Sequence, residues 1–268
     1  MNIVLPGLIA SALYLASAAL QLRALSADAA DNRNAVIGLG AVGIVLHAVT
    51  VFQVIFTDLG VNLALVPMVS LMSLAVAATL IASSLRRQVE NLLIGVLPLS
   101  GIAVVVSIFT HDASTPRADL SNGFVLHIIL SVIAYSLLTI AALQACLLSF
   151  GDYELRHRRL SVMKRLPPLQ TMEGLLFELL WAGLTFLSAS ILTGFVYLTS
   201  GDSIARGLVH HTVITLAAWT VFAVLLWGRY QLGWRGQIAS RWTLAGFALL
   251  VLGYFGSKFV LEVLLGRA

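Results

Sequence analysis

Eight apolar runs divide the chain, at roughly 3–23, 35–57, 64–85, 91–110, 121–149, 174–199, 207–229 and 240–264. A helix rises about 1.5 Å per residue, so about 20 apolar residues cross a hydrocarbon core of about 30 Å. Each run has that length. Polar or turn-forming breaks separate them at 28–34, 58–62, 86–91, 111–120, 151–171, 200–206 and 231–240. Inside lipid a loose backbone N–H or C=O finds no water, so every span must be a helix. The expected fold is all-α: one transmembrane domain over 1–268, a polytopic bundle of eight transmembrane helices. Gly95, Pro98 and Gly101 lie within the fourth run, where a kink is expected. No Lys or Arg precedes the first run, which reads as an uncleaved span rather than a signal peptide.

Composition excludes the other broad classes. The chain is 59% hydrophobic and 10% charged, with a mean hydropathy of +0.97. Soluble domains carry about 25% charged residues. This chain has too little polar surface for a cytosolic enzyme, a disordered segment or a nucleic-acid reader. Its pI of 9.6 reflects loop charges that report membrane orientation.

Those charges are unevenly placed. Arg23, Arg33, Arg86, Arg87, Arg156, Arg158, Arg159, Lys164, Arg165, Arg229, Arg235 and Arg241 fall at the breaks that follow odd-numbered spans. Arg117, Arg206, Lys258 and Arg267 fall on the other side, so the sixteen basic residues divide twelve to four. By the positive-inside rule both termini are expected outside, with the basic 151–171 loop in the cytoplasm. That loop contains Pro167 and Pro168 and reads either as a solvated linker near lipid headgroups or as a docking site for a cytoplasmic protein.

There is no internal repeat, P-loop, GxGxxG, HExxH or GxSxG pattern. The single cysteine, Cys146, excludes an intrachain disulfide and a CxxC site. No catalytic constellation is expected, and the chain is not expected to be an enzyme.

Polar residues inside the spans are the functional candidates, because lipid makes each of them costly. They are His47, His127, His210, His211, Glu178, Lys258 and Glu262. Residues i and i+4 share a helix face. His127, Ser131, Tyr135 and Thr139 therefore form one polar stripe, and His211, Thr215 and Trp219 another. Gly40, Gly43, His47 and Thr50 form a small-residue face suited to close helix approach. All three faces are expected to point into the bundle. His210 shares its face with Ile214 and Ala218, which suits lipid or an apolar ligand plane. Lys258 and Glu262 stand four apart and can neutralise each other, and Glu178 can pair with an arginine near the inner surface.

In the expected orientation His127, His210 and His211 enter from the outer face and His47 lies near mid-membrane. Several imidazoles in the outer half of an apolar bundle suit haem, whose iron takes axial histidines while its propionates seek the rim or a cation. His127 and His211 are the expected axial pair, between spans five and seven, with His210 as a substitute and His47 as a second, deeper site. Tyr135, Trp219 and Phe124 can wall the ring, and Arg206 can meet a propionate. Zinc or copper fits less well without thiolates or carboxylates at that depth. The histidines also have a structural reading, as hydrogen bonds between helices.

Three stretches carry a resemblance to a known family: Leu126-His127 through Ser131 and Tyr135 to Leu148; Thr212 through Trp219 to Gly233-Trp234-Arg235-Gly236; and Arg241-Trp242 to Tyr254-Phe255-Gly256. Together they resemble the integral-membrane cytochrome c assembly family, which includes the CcsA, CcmC and HemX-like proteins. The resemblance covers roughly 120–268, and the first half by topology. It implies a multi-pass protein of the bacterial cytoplasmic (inner) membrane that handles haem, with His127 at the position of an axial ligand. Two family features are absent: the tryptophan-rich WWD segment, where this chain has only Ser200–Arg206, and a second outer histidine near the last span. The implied role is thus binding, sensing or passing haem b, with the lipid bilayer and haem as partners. The alternative is an accessory or regulatory membrane protein, in haem biosynthesis control or as an ion-transport subunit, with structural histidines.

Overall fold

The computed structural model describes residues 3–26, 32–87, 89–110, 120–157, 167–199 and 205–259, with side chains except at 25–26, 197–199 and 205–211. Eight helices are long and apolar enough to cross a membrane. Their contacts form two compact units, Met1–Leu120 and Ser121–Leu264.

The first unit contains α1 (Val4–Ser26), α2 (Arg33–Ile55), α3 (Leu65–Ser84) and α4 (Leu93–Phe109). A two-residue hairpin, β1 (Phe56–Thr57) with β2 (Gly60–Val61), joins α2 to α3, where the sequence had suggested only a turn. Gly60 permits it, with a φ of 125°. A single 3-10 turn, Glu90–Leu92, leads into α4, which continues as α-helix through Pro98. Helix α1 packs on α2 and α4, and α3 completes the ring against the same two. Close approach depends on small residues. A Cβ on Gly43 would stand 2.8 Å from Tyr14 Cε1 and 3.5 Å from the Ala10 carbonyl oxygen. Arg33 pins one end of this unit: its Nε lies 2.6 Å from Glu90 Oε1, and its Nη2 donates to the Ser84 carbonyl.

The second unit contains α5 (Asn122–Arg156), α6 (Leu169–Thr199), α7 (Ala205–Leu232) and α8 (Gly236–Val251). The eighth span continues through a π turn, Leu252–Gly256, into the short α9 (Ser257–Phe259). Helix α5 packs on α6 and α8, α7 packs on the same two, and α5 and α7 hold the diagonal. Leu138, Leu176, Leu180, Phe222 and Leu225 are fully buried in this core.

Two helices outrun the expected spans. Helix α5 has 35 residues, about 52 Å of rise, and ends at Arg156 rather than near 149. Its extension is amphipathic: Asp152 and Arg156 pair four residues apart at 3.1 Å, and Tyr153 stacks on His157 at 4.1 Å. Helix α6 begins at Leu169, directly after Pro167-Pro168. The flanks of the basic loop placed at 151–171 are thereby helical, which leaves 157–168 between the two helices.

The α7–α8 turn is fastened to α6. Glu173 Oε1 lies 2.7 Å from Arg229 and 3.1 Å from Arg235, and Oε2 accepts from the Gly236 N–H at 3.3 Å. Gly233 and Gly236, with φ of 66° and 55°, make the turn. Trp234 folds back over Gly228 and stacks on Trp242 at 5.2 Å.

Candidate functional site

His127 stands in the second turn of α5, which Ser121 caps by accepting from the Phe124 N–H. Phe124 stacks beside the imidazole with ring centroids 6.5 Å apart. Across the α5–α6 interface, Nδ1 donates to the Ser190 carbonyl at 2.9 Å and lies 3.4 Å from Thr193 Oγ1. Among the described residues, nothing bonds Nε2. A polar chain ties the same level: Ser190 Oγ lies 2.7 Å from Ser131 Oγ, which donates to the His127 carbonyl at 2.7 Å. Gly194 leaves room for the ring, since a Cβ there would stand 3.0 Å from His127 Cε1.

The stripe expected on α5 faces inward, but it serves two neighbours. Each step of four residues turns about 40° around a helix. His127 and Ser131 therefore meet α6, while Tyr135 has rotated toward α8. Its hydroxyl donates to the Leu250 carbonyl at 2.6 Å, where the ladder of α8 changes register into the π turn. Its ring meets Tyr254 and Phe255 edge-on at 5.9 and 6.1 Å.

Trp219 does not join His127. Its indole N–H donates to Ser188 Oγ at 2.8 Å. Ser188 and Ser190 lie two residues, about 200°, apart around α6, so α6 stands between Trp219 and His127. Spans five and seven, α5 and α7, face each other across the unit's diagonal, with α6 and α8 flanking.

Thr215, on the face shared with His211, is buried, and among the described residues its Oγ1 has no hydrogen-bond partner. Ala218, on the face of His210, is fully buried, and Ile214 approaches Gly253. At this depth that face meets protein rather than lipid. Arg206, His210 and His211 belong to α7, but their side chains lie outside the described residues, as does Glu262. Glu178 is on the exposed side of α6, and the Lys258 ammonium lies 5.8 Å from the Tyr254 ring centroid.

His47, in the first unit, differs from His127. It is fully buried and both ring nitrogens are engaged, Nδ1 with the Tyr14 hydroxyl at 3.2 Å and Nε2 with Ser70 Oγ at 3.0 Å. Gly40, Gly43 and Thr50 share its buried face, as expected.

Ser190, Thr193, Gly194, Tyr14, Ser70, Glu90 and Glu173 were not singled out from the sequence. A signal for α6 was present: Gly183, Leu187, Ser190 and Gly194 recur at helical spacing on one face. Among the described residues, no group of three or more His, Cys, Asp or Glu is placed to hold a metal ion.

These features define a polytopic α-helical membrane protein with an anchored histidine near one end of its second four-helix unit. The chain belongs to the cytochrome c assembly protein family, whose profile matches residues 35–265. It is 30% identical over 259 residues to inner membrane protein YpjD of Escherichia coli K12, covering 96% of this chain and 98% of the relative. An uncharacterised 28.8 kDa protein from a nifR3-like 5′ region of Azospirillum brasilense is 36% identical over 142 residues, 53% of this chain and 52% of the relative. Protein HemX of Brevibacillus brevis is 22% identical over 163 residues, 58% of each chain. No solved structure matches significantly. The protein is thus a multi-pass protein of the bacterial inner membrane, and its family ties it to cytochrome c assembly or haem handling.

Proposed function

We propose that this protein is a non-enzymatic haem-binding protein of the inner membrane, with His127 as an axial ligand to haem b. The observation that carries this reading is the state of the His127 ring. Its Nδ1 is anchored on the Ser190 carbonyl while Nε2 has no partner among the described residues. Metal-bound histidines are oriented in this way by the bond that their other nitrogen makes.

The donor set suits haem better than a bare ion. A macrocycle brings four equatorial nitrogens of its own, so one or two imidazoles suffice. A zinc site needs three or four protein ligands, and the described residues offer no such group. When bound, haem supplies an iron centre that exchanges electrons or is passed to another protein. The chain's part is to hold it: His127 as ligand, His211 as the opposing ligand with His210 as substitute, and Arg206 at a propionate. The orientation, with both termini outside, rests on the twelve-to-four division of basic residues and puts His127 in the outer half of the membrane.

A second reading is an accessory protein that acts through the basic 157–168 linker on a cytoplasmic partner, for control of haem biosynthesis or as an ion-transport subunit. The closed Tyr14–His47–Ser70 network favours it, because both ring nitrogens of that intramembrane histidine are engaged by neighbouring helices.

The absorption spectrum of the protein purified in mild detergent separates the two. Haem held by two imidazoles gives sharp low-spin α and β bands on reduction, and His127→Ala removes most of the haem. A preparation from haem-replete cells with no Soret band, and none after haem is added, overturns the haem reading.

A further inference from the structure

The proton on His127 is assigned by helix α6. A carbonyl oxygen only accepts, so the 2.9 Å contact with Ser190 requires the hydrogen on Nδ1. In the neutral ring the lone pair then belongs to Nε2. The neighbouring hydroxyls do not compete for this role. Thr193 Oγ1 spends its proton on backbone carbonyls of α6, at 3.0 Å from Ala189 and 2.9 Å from Ser190. Ser131 spends its proton on the His127 carbonyl, so Ser190 Oγ must donate to Ser131.

Space sets the ring's position as firmly as hydrogen bonding does. A Cβ on Gly194 would stand 3.0 Å from Cε1 and 3.3 Å from Nδ1, against the edge of the ring that faces α6. Such contacts are tight enough that the imidazole must give way. Gly194 is thus the absent side chain that lets Nδ1 reach the Ser190 carbonyl.

We propose that the Ser190 carbonyl and Gly194 are positioning residues that lock His127 in its Nδ1–H tautomer and present Nε2 as its one metal-binding nitrogen. This rests on the reading of His127 as a haem ligand. The seat is preformed, so ligand affinity depends on a helix that carries no ligand. The serine hydroxyl is dispensable for the tautomer, because the acceptor is backbone.

The test uses the full chain in detergent with ¹⁵N-labelled histidine, before haem is added, and the His127 signal is assigned by its loss in His127→Asn. The wild type is expected to show a protonated Nδ1 and a bare Nε2. Ser190→Ala, which keeps the carbonyl, retains that pattern. Gly194→Val pushes the ring off Ser190 and gives mixed tautomers, and its haem affinity falls roughly tenfold or more, the usual scale for loss of a ligand's orienting partner. Gly194→Ala is the milder variant that decides the matter if Gly194→Val loses its helical spectrum or its monodisperse profile. An Nε2–H tautomer in the wild type overturns the proposal, as do glycine variants with unchanged tautomer and affinity. A wild type that shows the Nδ1–H tautomer yet takes up no haem supports the positioning and overturns the haem reading alone.

Discussion

The Tyr14 hydroxyl and His47 Nδ1 lie 3.2 Å apart in the interior of the first unit, joining α1 to α2 between two residues with no solvent exposure. Ser70 holds the opposite ring nitrogen, so the imidazole bridges three helices. Hydrogen bonds between membrane helices contribute about 0.6–2 kcal/mol each. Tyr14→Phe is expected to lower the apparent melting temperature in detergent, and His47→Ala to lower it further, with the haem spectrum unchanged in both. Loss of the Soret band in His47→Ala at an unaltered melting temperature would make His47 a ligand.

Gly43 sets how closely α1 and α2 approach. A Cβ there would meet the Tyr14 ring at 2.8 Å, and that ring is fully buried and bonded to His47, so it has little room to retreat. Gly43→Ala should cost about 1–3 kcal/mol, the usual cost of overpacking a tight contact. Gly38→Ala is its control, since nothing lies within 4 Å of a Cβ at that position. Thermal denaturation of the two variants side by side checks the difference.

Glu173 is half of a clasp that joins the start of α6 to the α7–α8 turn through Arg229 and Arg235. The carboxylate side chain is only 11% exposed, whereas Arg235 is 59% exposed and well screened by water. Glu173→Gln leaves two guanidinium groups around a neutral amide and should destabilise by about 1–3 kcal/mol, with Arg229 responsible for most of it. Faster proteolytic cleavage at the 233–236 turn is the expected readout, and Arg229→Gln should reproduce more of the effect than Arg235→Gln.

A reporter active only in the cytoplasm should work when inserted in the 157–168 linker and fail when fused after Ala268. The reverse pattern would turn the bundle over and place His127 in the inner half of the membrane.

His210 and His211 are adjacent, so their side chains leave α7 about 100° apart. His211 shares its face with Thr215, whose buried Oγ1 has no hydrogen-bond partner among the described residues. His211→Ala is therefore expected to lower haem retention more than His210→Ala, with both proteins inserted and expressed at wild-type level. A Soret band abolished by His210→Ala and kept by His211→Ala would assign the site to the Ile214 and Ala218 side of the helix.

The eight helices and the inward faces of His47 and His127 were legible in the sequence because the constraints behind them are local. Each apolar run must satisfy its own backbone in lipid, and i,i+4 spacing assigns faces within one helix. The lengths of α5 and α6 were less legible. Their ends lie in water, where hydropathy stops reporting and pairs such as Asp152 with Arg156 decide how far the helix continues.

What the rings of His47 and His127 bond to was decided only by the fold. Tyr14 and Ser70, which close the His47 ring, stand 33 and 23 residues away, and the Ser190 carbonyl that anchors His127 stands 63 away. Whether those atoms meet depends on how each helix is rotated about its own axis. That rotation follows from the packing of glycines and bulky side chains across the whole interface, as where Gly194 admits the His127 ring and Gly43 admits Tyr14. The sequence could therefore name the two imidazoles; only tertiary packing made one a closed link between helices and left the other, among the described residues, with one ring nitrogen unbonded.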